Sequence, residues 1–307
     1  MDKQTPFPRR LTLLHADTPL KPEESDRPLD DPALSLRLSS LSGYDGFRVL
    51  FAIWCRTGRS DGACLNDFFR IATSFRRRCE AAGVPLDRVP LSVEDLRLIG
   101  NDLSLLDTLA QAGVVSVAPF WRGENALGGA WDAERGLTDL GRRAIERCFD
   151  VGLIPDVSHA SRKATDEMIA LGEARSQPVI ASHVGFDELS PHRRNLTDRD
   201  AVRIADLGGL VGITFHAPHL SRTGRATVDD AVSHILYGFR LIPDAIALGS
   251  DLDGTDLLPD GLSSSDDLPA LAAALSAAGL GDAGIDAVFY RNADRFFKRF
   301  DFPQTKG

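Results

Sequence analysis

"LIPDVSHASRKATDEMIALGEA", residues 153–174, sets an apolar run that closes on Asp156, Ser158 and His159 directly before a segment of helical spacing. A buried strand that ends in polar atoms and hands over to a helix reads as one β/α unit. The unit recurs. "PVIASH" (178–183) ends in His183, "RLTLLHAD" (10–17) in His15 and Asp17, "VPLSVED" (89–95) carries Glu94, and "AIALGSD" (245–251) ends in Asp251. In all, eight short apolar runs rich in branched residues are marked at about 10–15, 47–53, 89–94, 114–120, 153–159, 178–183, 210–215 and 245–251.

Most runs alternate with helical segments such as "DFFRIATSFRRRCEAAG", "NDLSLLDTLAQAG" and "LTDLGRRAIERCFDVG", several of which stop at glycine, as helix C-termini often do. Eight such units predict an α/β fold of the (β/α)8 TIM barrel type, with strands buried on both faces. A doubly wound sheet is the rival, but "LLHADTPLK" after the first strand is no glycine-rich phosphate loop. Gly208 and Gly209 in "GGLVGIT" lead into a strand and read as a turn. With no low-complexity tract, repeat or long linker, residues 1–307 read as a single domain.

Bulk composition narrows the function. The net charge of −9 disfavours nucleic-acid or anionic-membrane partners and points to a small molecule or a peptide. The four cysteines lack CxxC spacing, so reduced structural thiols are expected. The apolar run before His15 is too short for a secretory segment, and nothing approaches the ~20 apolar residues of a membrane span, so a cytoplasmic enzyme is expected.

In a barrel the C-terminal strand ends converge on one mouth, where barrel enzymes keep their active sites. His15, Asp17, Glu94, His159 and His183 would then meet as a nitrogen and oxygen ligand set suited to zinc or a similar divalent ion. Five ligands exceed one open tetrahedral site but fit two metals that share a carboxylate. Taken singly, Asp17 and Glu94 also read as caps, and Asp251 and Asp253 of "GSDLDG" as turn formers. Of the other histidines, His216 and His219 follow the seventh run and are placed to line the mouth, whereas His192 and His234 read as surface or core residues.

The motifs "VEDLRLIGNDLSLLDTLAQAGV", "GLIPDVSH", "PVIASHVGFDELSPHRRNLTD", "GGLVGITF", "ALGSDLDG" followed by "PDGL", and "RNADRFF" together resemble the membrane dipeptidase (renal dipeptidase) family of zinc metallopeptidases, amidohydrolase-type barrels. The resemblance runs from about residue 10 to 298 and implies two zinc ions. His15 and Asp17 would hold one ion and His159 and His183 the other, with Glu94 bridging. Arg194 would hold the substrate's terminal carboxylate, and Asp251 would orient or shuttle the proton of the attacking water. The implied reaction is hydrolysis of a dipeptide or dipeptide-like amide beside a free carboxylate; a homodimer follows by analogy only.

One position departs from the family. Where members end the fourth strand in a histidine that contacts the scissile carbonyl, a gap-free count through "VVSVAPFWRGENALGG" places Trp121. Indole donates one N–H and carries no charge, and loss of such a donor costs ~10²–10³ in rate. Trp121 therefore reads as an apolar wall of the substrate pocket. Asn125 or Arg122 would have to supply the donor, or the substrate is a non-peptide amide or lactone, or the protein binds metal with little catalysis.

Overall fold

The computed structural model describes residues 8–21, 28–56 and 58–299. Among these, eight parallel strands form one curled sheet: β1 (Arg10–Ala16), β2 (Gly46–Trp54), β3 (Leu91–Glu94), β4 (Val114–Ala118), β5 (Ile154–Pro155), β6 (Ala181–Val184), β7 (Val211–Thr214) and β8 (Ile246–Leu252). Their lateral order is β5-β4-β3-β2-β1-β8-β7-β6. A parallel bridge between Asp156 and Ile180 joins the two outer strands. There Val157 N–H donates to the Ile180 carbonyl at 2.8 Å and Ile180 N–H to that of Pro155 at 3.0 Å. The ring closes in chain order, as in a (β/α)8 barrel.

The helices that follow the strands are α1 (Asp61–Ala81), α2 (Ser104–Gln111), α3 (Asp139–Val151), α4 (Arg162–Arg175), α5 (Asp198–Asp206), α6 (Val228–Leu241), α7 (Leu268–Ala277) and α8 (Asn292–Phe297). Their starts are written locally: Thr138, Ser161 and Thr197 each turn a hydroxyl onto an N–H of the first turn of α3, α4 and α5, satisfying donors that have no partner inside the helix. Gly152 ends α3 in the left-handed region at φ 78°, a conformation that costs glycine little.

The fifth run is shorter as a strand than its apolar length predicts. The named strand ends at Pro155, while Asp156 and Val157 still donate their N–H groups to the Val117 and Ile180 carbonyls. The Asp156 carboxylate accepts the N–H groups of Ser158 at 2.9 Å and Ser182 at 3.0 Å and so holds the turn beyond which His159 lies at φ 69°.

Two apolar layers hold the barrel. The larger packs strands against the helical ring. The smaller takes Leu14, Leu50, Val115, Ile154, Ile180, Leu210 and Ala247 from β1, β2 and β4–β8 or the residue just before them, and adds Ala293, Phe296 and Phe297 of α8. Residues from seven strands of a closed ring can only meet along its axis, so α8 seals the end opposite the mouth.

The connection after β1 contains the short helix Leu38–Leu41. Residues 22–27 of this connection lie outside the described residues, and its flanks are pinned. The Asp253 carboxylate accepts the Ser35 N–H at 2.8 Å, the Ser35 hydroxyl at 2.9 Å and the Thr18 hydroxyl at 2.6 Å. All four cysteines are buried and unbridged. Among the described residues no helix is long and apolar enough to cross a membrane.

Candidate metal centre and substrate pocket

The strand-end residues predicted to meet do meet. His15 Nε2 lies 3.1 Å from Asp17 Oδ2, 3.4 Å from Glu94 Oε2 and 3.9 Å from Asp251 Oδ1. The other oxygen of Glu94, Oε1, stands 2.7 Å from His159 Nε2, so this carboxylate faces one imidazole with each oxygen. His159 Nε2 and His183 Nε2 approach to 2.9 Å, and the rings of His15 and His183 lie 3.9 Å apart. Donor atoms of His15, Glu94 and His183, and of His15, Asp17 and Asp251, fall within 4.8 Å of one another. His15 belongs to both groups, so the five candidate ligands and Asp251 form one continuous cluster.

The donor set fits a cation. His159 Nδ1 lies 2.9 Å from the Trp121 carbonyl, which only accepts, so Nδ1 carries the hydrogen and Nε2 of the neutral ring presents a lone pair. Burial, reinforced by Arg194, holds His159 below the ordinary imidazole value; burial, then His15 and Arg194, holds His183 well below it. The His159 lone pair thus faces a carboxylate oxygen of Glu94 at 2.7 Å in a buried site with no hydrogen between them, an arrangement that positive charge resolves. Burial opposes charge on His15, yet Asp17 and Glu94 together raise it well above the ordinary range. Burial likewise opposes ionisation of Glu94, but His159 and His15 prevail and lower it.

The backbone around the cluster is held in an uncommon conformation. Asp95, His159, Ser250, Asp251 and Asp253 all have positive φ, between 64° and 76°, and the sole other non-glycine case among the described residues is Ser176 at the end of α4. Such residues persist where surrounding bonds over-determine them. Asp95 accepts the Arg97 N–H at 3.2 Å and so caps the 3-10 turn Leu96–Ile99. The capping role open to Glu94 therefore falls to its neighbour, and Glu94 faces the cluster. Ser250 donates its hydroxyl to the His15 carbonyl at 2.5 Å, where the pairing of β1 and β8 shifts register. A side chain at Gly254 would collide with the carboxylates of Asp17 and Asp251.

Above this floor opens a cavity of about 380 Å³. Trp54, Trp121 and Trp131 line it, as do Arg194, His216 and His219. Arg194 is 5% exposed, and its Nη1 has no hydrogen-bond partner among the described residues. Burial pushes its guanidinium down to about 10, with Asp251 and Glu94 partly opposing. A buried, unsatisfied guanidinium nitrogen at a cavity wall suits an anionic ligand group. Burial pushes Asp251 up to about 8, with His15 opposing.

Trp121 lies at the pocket as expected, with its ring 4.5 Å from that of Trp54. Asn125 does not supply the missing donor, because both its amide hydrogens are committed, to Asp95 Oδ1 at 2.9 Å and to the Pro119 carbonyl at 2.8 Å. Arg122 reaches the cavity rim but faces Asp132 at 3.2 Å. Sequence reasoning missed His192, which also lines the cavity with its ring 4.7 Å from His219. It also left Asp156 and Gly254 without roles, although both stand inside quoted motifs, and gave Asp253 only a turn.

Comparison with known proteins places the chain in a family. The profile of the membrane dipeptidase family (peptidase family M19) matches residues 77–305. An uncharacterized protein in the pqqA 5′ region of Klebsiella pneumoniae is 34% identical over 206 residues, 63% of this chain and 74% of its own length. For four further curated relatives the chain spans about half of their length, from 43% to 52%. Among solved structures, the dipeptidase AC of family M19 has a TM-score of 0.85 at 22% identity over 96% of this chain and 99% of that one. A metallo peptidase from Rhodobacter sphaeroides, liganded with a phosphinate mimic of L-Ala-D-Ala, has a TM-score of 0.82 at 22% identity over 96% and 100%. At such identity these two structures speak for the fold. The match to the family over most of the chain places the protein in the membrane dipeptidase family, peptidase family M19, whose named members are metallo-dipeptidases.

Proposed function

We propose that this chain is a hydrolase with two divalent metal ions, zinc by ligand type, that cleaves a dipeptide or dipeptide-like amide bond beside a free carboxylate. The observation that carries the reading is the gathering of His159 Nε2 on Glu94 Oε1, with His183 Nε2 beside it, and of His15 Nε2 on Glu94 Oε2, with Asp17 beside it. In this reading His15 and Asp17 hold one ion, His159 and His183 the other, and Glu94 serves both. The chemistry that divalent ions supply in such a site is Lewis acidity toward a carbonyl and toward water.

The chain's own groups do the rest. Arg194 binds the substrate carboxylate through its unpartnered Nη1 and so fixes which amide lies over the floor. Asp251 takes the proton of the attacking water on Oδ1 and returns it to the leaving amine. The Trp121 carbonyl fixes the His159 tautomer and orients its ring. The Trp121 side chain favours a second reading, a non-peptide amide or lactone as substrate, because its ring brings no charged donor to the scissile carbonyl.

The test is metal content of the purified protein together with hydrolysis of a panel of L,L- and L,D-dipeptides, repeated for Glu94→Gln and Trp121→His. The expected result is about two zinc ions per chain with dipeptide cleavage, and loss of both in Glu94→Gln. Wild-type protein that binds no divalent metal sinks the reading. Bound zinc with cleavage by Trp121→His alone selects the second reading.

A further inference from the structure

The chain has three tryptophans, at positions 54, 121 and 131, and all three line the one cavity above the candidate metal centre. Two of them, Trp54 at the end of β2 and Trp121 after β4, lie ring to ring at 4.5 Å. Trp121 is also the position at which the sequence departs from the family's histidine. In the closed ring of eight strands β2 stands across from β6, and Arg194 lies in the segment that follows β6. The cavity therefore has the Trp54–Trp121 pair on one side and, on the other, Arg194 with the imidazoles and Trp131, whose ring lies 5.9 Å from that of His192, with the candidate ligand cluster between them.

We propose that Trp54 and Trp121 form a specificity wall that selects substrates with a ring or a branched apolar side chain on the residue N-terminal to the cleaved amide. The inference rests on the hydrolase reading above. A dipeptide that places its free carboxylate on Arg194 and its amide over the floor must direct its other end across the mouth. That end is the N-terminal residue, and what it meets is indole. Flat aromatic faces recognise rings and branched chains by burial and offset stacking. Two charged residues of the cavity wall are engaged with the protein itself: Arg122 faces Asp132, and Asp253 is held by Ser35 and Thr18. Trp54 Nε1 is buried without an acceptor among the described residues, so packing alone seats this ring and lets it settle against a ligand.

Two phosphinate pseudodipeptides test the proposal, identical except for benzyl or methyl at the N-terminal position. They are titrated into zinc-loaded full chain with tryptophan emission as the readout, since every tryptophan borders the cavity. The benzyl compound should bind about ten-fold or more tightly than the methyl compound and shift the emission. In Trp121→Ala and Trp54→Ala that ratio should fall to about two-fold or less. The wild-type ratio is itself decisive if either variant fails to fold. Equal binding of the two compounds overturns this proposal alone, as does a preference kept in both variants. Binding of neither overturns the hydrolase reading and this proposal together.

Discussion

Leu14 and His15 are neighbours in β1, yet they belong to opposite ends of the barrel's chemistry. Leu14 joins residues of six other strands and the two phenylalanines of α8 in an apolar plug. His15 joins Asp17, Glu94, His183 and Asp251 in a buried polar cluster. The plug needs only volume and apolarity, which burial rewards directly. The cluster holds charges in low dielectric and keeps five residues around it at positive φ, both of which oppose folding. One end of the molecule stabilises the fold, and the other spends that stability on a site.

Three measurements break or sharpen this contrast. The largest effect is expected at the plug: Phe296→Ala should lower unfolding stability by about 3–5 kcal/mol in denaturant titration while the divalent-metal content of the folded protein matches that of the wild type. A lower metal content in that variant would show that the two ends are coupled.

A second effect concerns a support of the mouth. His234 on α6 accepts the Phe186 N–H on Nδ1 at 3.0 Å and donates from Nε2 to the Leu220 carbonyl at 3.1 Å, so it ties the loops after β6 and β7. Burial pushes it down to about 4 from the ordinary 6.5, with Leu220 partly opposing. Below pH 6.5 the unfolded chain therefore binds a proton that the folded chain refuses, and stability falls as pH drops toward 4, by about 3 kcal/mol in all. His234→Leu should be less stable at pH 7 but show a flatter profile between pH 6.5 and 4. An unchanged profile would remove His234 as the support that acid attacks.

The smallest effect is expected at Ser176, which has positive φ at the exposed end of α4, away from the mouth. Ser176→Gly should stabilise the protein by about 0.5–1 kcal/mol, measured by thermal unfolding. A gain there shows that strain without function is removable, in contrast to the strain around His159 and Asp251.

The apolar runs made the barrel legible, because strands buried on both faces leave no alternation to confuse with a helix. The cluster was legible because its members stand at run ends, where geometry brings them together. What was not legible depends on side chains that shape backbone. Asp156 holds the turn after β5 against β6 by taking two N–H groups, and nothing in "LIPDVSHAS" distinguishes it from a solvent-facing aspartate. Glu94 and Asp95 are adjacent acids with separate tasks, one toward the imidazoles and one capping a turn. His192 was missed because it lies nine residues past a run end, on a loop whose path only tertiary packing fixes.

The closure of β1 against β8 has a consequence for biosynthesis. His15 and Ser250, 235 residues apart, share a hydrogen bond at the cluster, and the ligand set stays incomplete until β6 has joined β1. Contacts of such long sequence separation form late and slowly. A chain still emerging from the ribosome holds His15 and Asp17 long before His183 and Asp251 exist, so the cluster cannot assemble until most of the chain has been made. Its assembly therefore reports that the barrel has closed.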